Sequence, residues 1–171
     1  MYLSKSDFKV ARTCATKLYY KKLGYPSIRD DDQYLQFLAD GGYMVEAIAK
    51  LCHPDGIEIG FEGGPEPSAK QTLSILNAHE TVTLFEATLI WENRLARVDI
   101  LEKSGNSLRL IEVKAKSVDT STGENPFRGV RGNISSNWQA YLEDVVFQYS
   151  VLRKLFPEVK ITGIESKFLS L

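Results

Sequence analysis

The stretch from Thr81 to Lys116, TVTLFEATLIWENRLARVDILEKSGNSLRLIEVKAK, constrains the fold more than any other part of the chain. Runs of β-type residues are separated by two short polar breaks, Glu92-Asn93 and Ser104-Gly105-Asn106-Ser107. Gly-Asn is a strong two-residue hairpin signal, because both residues tolerate the positive φ that such turns need. The stretch therefore predicts three strands in a meander. With Gly105 and Asn106 as the turn, Ser104 faces Ser107, and Asp99 falls directly opposite Glu112. Opposed side chains on one face have Cβ atoms about 4.5–5.5 Å apart. Two carboxylates at that distance repel unless a proton or a divalent cation neutralises them, and an oxygen-rich pair suits Mg²⁺ or Mn²⁺.

Lys114 lies two residues beyond Glu112 and so shares its face, as do Leu108 and Leu110; Ile111, Val113 and Ala115 take the other. A strand apolar at its start and charged at its end has a buried body and a working edge. If Glu92-Asn93 is also a two-residue loop, Trp91 faces Arg94 and Glu86 comes opposite Asp99 as an additional acid. A one-residue slip would turn Glu86 to the wrong face. Glu-x-Lys alone is a weak pattern that suits a solvated face; the opposed Asp99 makes it a candidate site.

At 171 residues the chain suits one domain with a sizeable core. A net charge of −1 supplies no global field for a polyanion. Cys14 and Cys52 are too few for a disulfide framework or a zinc site, which points to a reducing, cytoplasmic setting. No run approaches the roughly 18 apolar residues of a membrane span, and the start is not a signal peptide. Charge is uneven: Lys5 to Arg29 is basic except for Asp7, and Asp30 to Glu66 is acidic except for Lys50. The basic stretch suits either a phosphate backbone or a solvated helix face.

Ser4 and Asp7 mark a helix start, with Phe8, Ala11, Cys14, Ala15, Leu18 and Tyr19 at helical spacing until Gly24 and Pro26. Tyr19 and Tyr20 are expected in the core or half-buried, with base stacking as the alternative. Gln33 to Leu51 predicts a second helix with Leu35, Leu38, Val45, Ile48 and Leu51 as its apolar set. Gly41-Gly42 suggests a break or a close approach there, since each glycine costs a helix about 1 kcal/mol. Asp55 to Ser68 reads as loop with a short strand near Gly56–Phe61, and Ala69 to Asn77 is helical. Ser117 to Ser136 is a long polar loop leaving the strand of Glu112 and Lys114. Such loops are often lids or binding loops, and Arg128 and Arg131 are its candidate phosphate contacts. Asn137 to Phe156 is the clearest helix, with Gln148 flanking its buried side, and Val159 to Leu171 is a closing strand.

These elements in this order, with Asp99, Glu112 and Lys114 at their places, resemble the PD-(D/E)XK nuclease superfamily, and within it the RecB-like and CRISPR-associated exonuclease branch. Leu3-Ser4-Lys-Ser6 with Cys14 and Leu18-Tyr19-Tyr20 looks like the opening helix of that branch. Gly42-x-x-x-Glu46 matches its helix motif, Val98-Asp99 its Pro-Asp, Glu112-Val113-Lys114 its Glu-x-Lys, and Gln148 its glutamine. The resemblance covers nearly the whole chain, residues 1–171, as a single domain. It implies an α/β (α+β) fold: a restriction-endonuclease-like αβββαβ core, with a mixed central sheet flanked by helices and an extra N-terminal helix. It also implies Mg²⁺ or Mn²⁺ on Asp99, Glu112 and the Val113 carbonyl, with Glu46 as a further ligand. Lys114 would orient or deprotonate water, and Gln148 would orient the lysine or the substrate. The reaction implied is hydrolysis of nucleic acid, DNA ahead of RNA, in repair or defence. Val98 departs from proline, Glu46 from the frequent histidine and Leu152 from a frequent tyrosine. The C-terminal cysteines of an iron–sulfur cluster are missing, so no cluster is expected, and Cys14 is either a remnant or the sign of a longer protein. The alternatives are a nuclease-like module that binds nucleic acid without cutting, and an interaction domain of a larger protein.

Overall fold

The computed structural model describes residues 1–27, 32–116, 125, 127–129 and 131–168. Along the chain the elements are β1 (Leu3–Ser4), α1 (Lys5–Thr13), α2 (Ala15–Lys22), α3 (Gln33–Leu51), β2 (Ile57–Glu58), α4 (Pro65–Ala78), β3 (Thr81–Trp91), β4 (Arg94–Ser104), β5 (Ser107–Lys114), α5 (Ser136–Leu155) and β6 (Lys160–Phe168). They form one mixed sheet in the order β2-β3-β4-β5-β6. The meander is antiparallel, while β2 joins β3 and β6 joins β5 in parallel. Among the described residues no helix is long and apolar enough to cross a membrane.

Both turns set the predicted register. Trp91 pairs with Arg94, and Ser104 pairs with Ser107. Gly105 takes φ 55°, the left-handed conformation its turn requires. β4 is long enough to be shared. Its last residues, Ile100 to Ser104, pair with β5, and its first two, Arg94 and Leu95, pair with β1. Between those partners β4 carries Asp99.

Strand alternation divides the core. Leu84, Leu101, Leu108 and Leu110 pack with Leu76 of α4 and Val145, Phe147, Val151 and Leu152 of α5. On the opposite face Phe85, Ile100, Ile111 and Val113 meet Val45 and Ala49 of α3. The two faces of β5 are thus divided as its sequence predicts.

The predicted single opening helix is two helices. Ser4 caps α1 in a reciprocal box with Asp7, whose carboxylate accepts from the Ser4 amide. Cys14 then adopts an extended conformation, φ −165°, and α2 begins beyond it. Asp7 binds the two helices together through Lys21 at 2.8 Å and Lys22 at 2.5 Å. Burial works to raise its pKa, but the bonds from Lys21, Lys22 and Ser4 outweigh it and hold the carboxyl well below the usual range. Turned out by this arrangement, Tyr19 and Tyr20 are 62% and 47% exposed, not buried as expected. They continue an edge-on aromatic series with Tyr25.

Gly41-Gly42 does not break α3, and a Cβ at either position would meet nothing within 4 Å, so no close approach explains them. The helix is capped by Asp32 and anchored by Val45 and Ala49. Leu35, Leu38, Ile48 and Leu51 of its expected apolar set are exposed: Leu35 and Leu38 lie in the first half of α3, before its contact with the sheet, and Ile48 and Leu51 lie off the Val45 and Ala49 stripe that makes that contact.

Candidate functional site

The acids meet where the sheet becomes irregular. The β3–β4 ladder holds one register from Thr81 to Trp91 but omits the pair Glu86 and Asp99. The β4–β5 ladder ends at Ile100 and Ile111, one step before Asp99 and Glu112. Glu86 has φ 55°, which is uncommon for a residue with a Cβ. Alternation slips at this level. Phe85 and Ala87, two apart, lie in different core clusters, and so do Val98 and Ile100. Asp99 Oδ2 accepts the Val113 amide at 2.7 Å, so a side chain replaces the next backbone partner.

Glu112 is the centre of the group, with no exposed surface. Its Oε1 accepts from Lys5 at 2.5 Å and from Lys114, and its Oε2 accepts from Gln148. Burial acts to raise its pKa, but Lys5 and Lys114 outweigh that and hold it below the ordinary glutamate value. Lys5 is raised: burial opposes the charge, and Glu112 and Asp99 more than restore it. Asp99 goes the other way. Burial first, then the charge of Glu112, pushes its carboxyl up to about 6 against the pull of Lys5 and Lys114.

α5 adds an acid that the sequence reading missed. Asp144, 1% exposed, binds Lys9 at 3.0 Å and lies 3.8 Å from Lys114. Asp144 and Gln148 are four residues apart on one helix face, next to Val145, Val151 and Leu152. A carboxylate beside that apolar stripe, one turn before the glutamine, was the available signal. Lys5, also missed, had only its place after the helix cap to recommend it. Among the described residues, Asp144 Oδ1 and Gln148 Oε1 are buried with no hydrogen-bond partner.

Glu46 and Glu86 form a separate group on the α3 side. Their carboxyl groups hydrogen-bond to each other. Lys50 lies 3.0 Å from Glu46 and 3.9 Å from Glu86, and Arg97 lies 3.1 Å from Glu86. Burial, and then the bond and charge of Glu46, pushes Glu86 up to about 8. Glu86 is therefore the more reluctant of the pair to ionise, and Glu46, lowered against burial by its bonds to Glu86 and Lys50, the more acidic. The register places Glu86 level with Asp99 as expected, but the positive φ turns it towards α3 instead of Glu112.

Arg128 and Arg131 are exposed. Arg128 donates to the Gly132 carbonyl at 2.9 Å and bridges to Ile134. Most of their predicted loop, residues 117–124, 126 and 130, lies outside the described residues. Lys116 marks its start: it donates to the Asn137 carbonyl at 2.8 Å and lies 3.9 Å over Trp138, joining the end of β5 to the start of α5.

Among the described residues no group of three or more His, Cys, Asp or Glu side chains is disposed to share a metal ion. The arrangement is a buried carboxylate held by two lysines and a glutamine, with a second, reluctantly ionised carboxyl beside it. Comparison of the chain with protein-family models, curated proteins and solved structures finds no match.

Proposed function

We propose that this chain is a metal-dependent nuclease that hydrolyses phosphodiester bonds, with DNA ahead of RNA as substrate, in the cytoplasm. The reading takes the sheet and α5 as a restriction-endonuclease-like αβββαβ core of the PD-(D/E)XK kind. The observation that carries it is the convergence of Asp99, Lys114 and Gln148 on Glu112 from two strands and a helix. A solvated face has no reason to bury a carboxylate completely and surround it in this way.

The donor set suits a hard divalent cation. Asp99 and Glu112 repel each other, and among the described residues one buried oxygen each of Asp144 and Gln148 has no hydrogen-bond partner, so the centre offers a cation spare acceptor oxygens. Asp99, Glu112 and the Val113 carbonyl would hold Mg²⁺ or Mn²⁺, and Glu46 enters only as an outer ligand. When bound, such a cation supplies Lewis acidity towards water and the phosphoryl group. Gln148 fixes the orientation of Glu112. The Val113 amide fixes that of Asp99. Lys114, which here donates to Glu112, would turn its ammonium group to the attacking water and offset charge that develops on the phosphate.

The test is cleavage of labelled single- and double-stranded DNA in Mn²⁺, Mg²⁺ or EDTA, by wild type and Lys114→Ala. Metal-dependent cutting that the variant loses supports the reading; no cutting by folded wild type in either metal removes it. One observation favours a second reading, a nuclease-like module that binds without cutting: both oxygens of Glu112 already accept from the protein's own donors. That module predicts no heat of Mn²⁺ binding in a calorimetric titration, whereas the nuclease predicts binding that Asp99→Asn weakens.

A further inference from the structure

Lys5 reaches Glu112 across 107 residues of sequence. It stands first on α1, directly after the Ser4 cap, and β1 fixes that point against the start of β4. One turn later Lys9 binds Asp144, and Arg12 then meets Glu143 of α5 at 3.0 Å. Lys5, Lys9 and Arg12 therefore share one stripe of α1. A groove between α1 and α5 runs along it, lined by Lys9, Arg12, Thr13, Ser136, Gln139 and Glu143. The side chains of Lys5 and Lys9 are 25% and 44% exposed, so their charges are reachable from solvent.

We propose that Lys5, with Lys9 behind it, grips a backbone phosphate of the substrate strand, and that this phosphate and the divalent cation load the centre together. The inference rests on the nuclease reading. Three carboxylates, Asp99, Glu112 and Asp144, face three ammonium groups, Lys5, Lys9 and Lys114. A divalent cation on Asp99 and Glu112 leaves that set with an excess of positive charge and withdraws Glu112 from Lys5. The capped start of α1 keeps the Lys5 backbone beside the centre, so its ammonium group becomes available to another anion. A nucleic-acid strand offers one negative charge per phosphate, and the groove along Lys9 and Arg12 gives the strand a path. Coupling of this kind is reciprocal: phosphate at Lys5 must raise the affinity for the cation by the factor by which the cation raises the affinity for phosphate.

The experiment measures anisotropy of a fluorescein-labelled, phosphorothioate-linked oligothymidine with wild type, Lys5→Arg and Lys5→Met, in EDTA and in Mn²⁺ across a salt series. Mn²⁺ should tighten binding to wild type and Lys5→Arg about tenfold, within the usual range of coupling between sites. Lys5→Met should lose most of that gain, and its dependence of log K on log salt should be shallower by about 0.7, one phosphate on a single strand. Lys5→Met that is less stable but keeps wild-type affinity and salt slope would show a counter-ion for Glu112 only and overturn the inference. If Lys5→Met does not fold, Lys5→Arg decides: affinity that no longer responds to Mn²⁺ also overturns it. Wild type that cuts DNA while Lys5→Met binds equally well removes this inference and leaves the nuclease. Wild type that neither binds nor cuts removes both.

Discussion

Asp99→Asn tests whether two carboxylates are held together against their repulsion. In the folded protein burial and Glu112 raise the Asp99 carboxyl from an ordinary 3.8 to about 6. Between those values the folded chain keeps a proton that the unfolded chain has lost. Stability therefore falls as pH rises through this window, and the cost is complete above about 6. A shift of about two units corresponds to about 3 kcal/mol. Asparagine removes the charge and still accepts the Val113 amide, so the variant should gain about 2–3 kcal/mol at pH 8 and almost nothing near pH 4. Urea unfolding of both proteins at pH 4.5, 6 and 8 measures the difference through the shift in midpoint at constant m. On the nuclease reading Mn²⁺ should reverse the order, because wild type binds it more tightly than the variant. A variant less stable than wild type at pH 8, or a gain equal at pH 4.5 and pH 8, would show that Lys5 and Lys114 already make Asp99 a favourable anion.

Glu86→Gln mimics the protonated Glu86, whose carboxyl is raised from 4.5 to about 8. Wild type should lose stability over that interval while the variant does not, so the advantage of Glu86→Gln grows as pH rises from about 5 to 8. A constant difference in thermal midpoints across this range would show that Glu86 is ionised throughout. Gln148→Leu leaves the buried Glu112 Oε2 without its donor, which should cost about 1–3 kcal/mol in urea unfolding; a neutral effect would mean that water replaces the glutamine.

The meander was legible because its two turns have local chemistry and its strands alternate, which together fix register. The burial of Gln148 was legible from helical spacing, and its place beside Glu112 only from the resemblance. Lys5 was not, because nothing local marks a lysine whose partner is 107 residues away. Asp144 was passed over for the opposite reason: it sat in a helix whose apolar residues drew attention from the carboxylate beside them. The Gly41-Gly42 expectation followed helix propensity, a weak rule that packing and capping override. The extended Cys14 has neither glycine nor proline to announce it, and the positive φ at Glu86 belongs to a residue type that rarely adopts it.

The slip at Glu86 and Asp99 also joins what the sheet would otherwise separate. Glu86 lies with α3, and Asp99 with the lysines around Glu112, yet the charge of Asp99 is one of the forces that raise Glu86. The same force acts in the other direction. Neutralising Asp99 on one side must ease the release of a proton on the other, and protonating Glu86 must make a charge at Asp99 less costly. The sheet therefore links the charge at Asp99 to the acidity of Glu86 across its two faces.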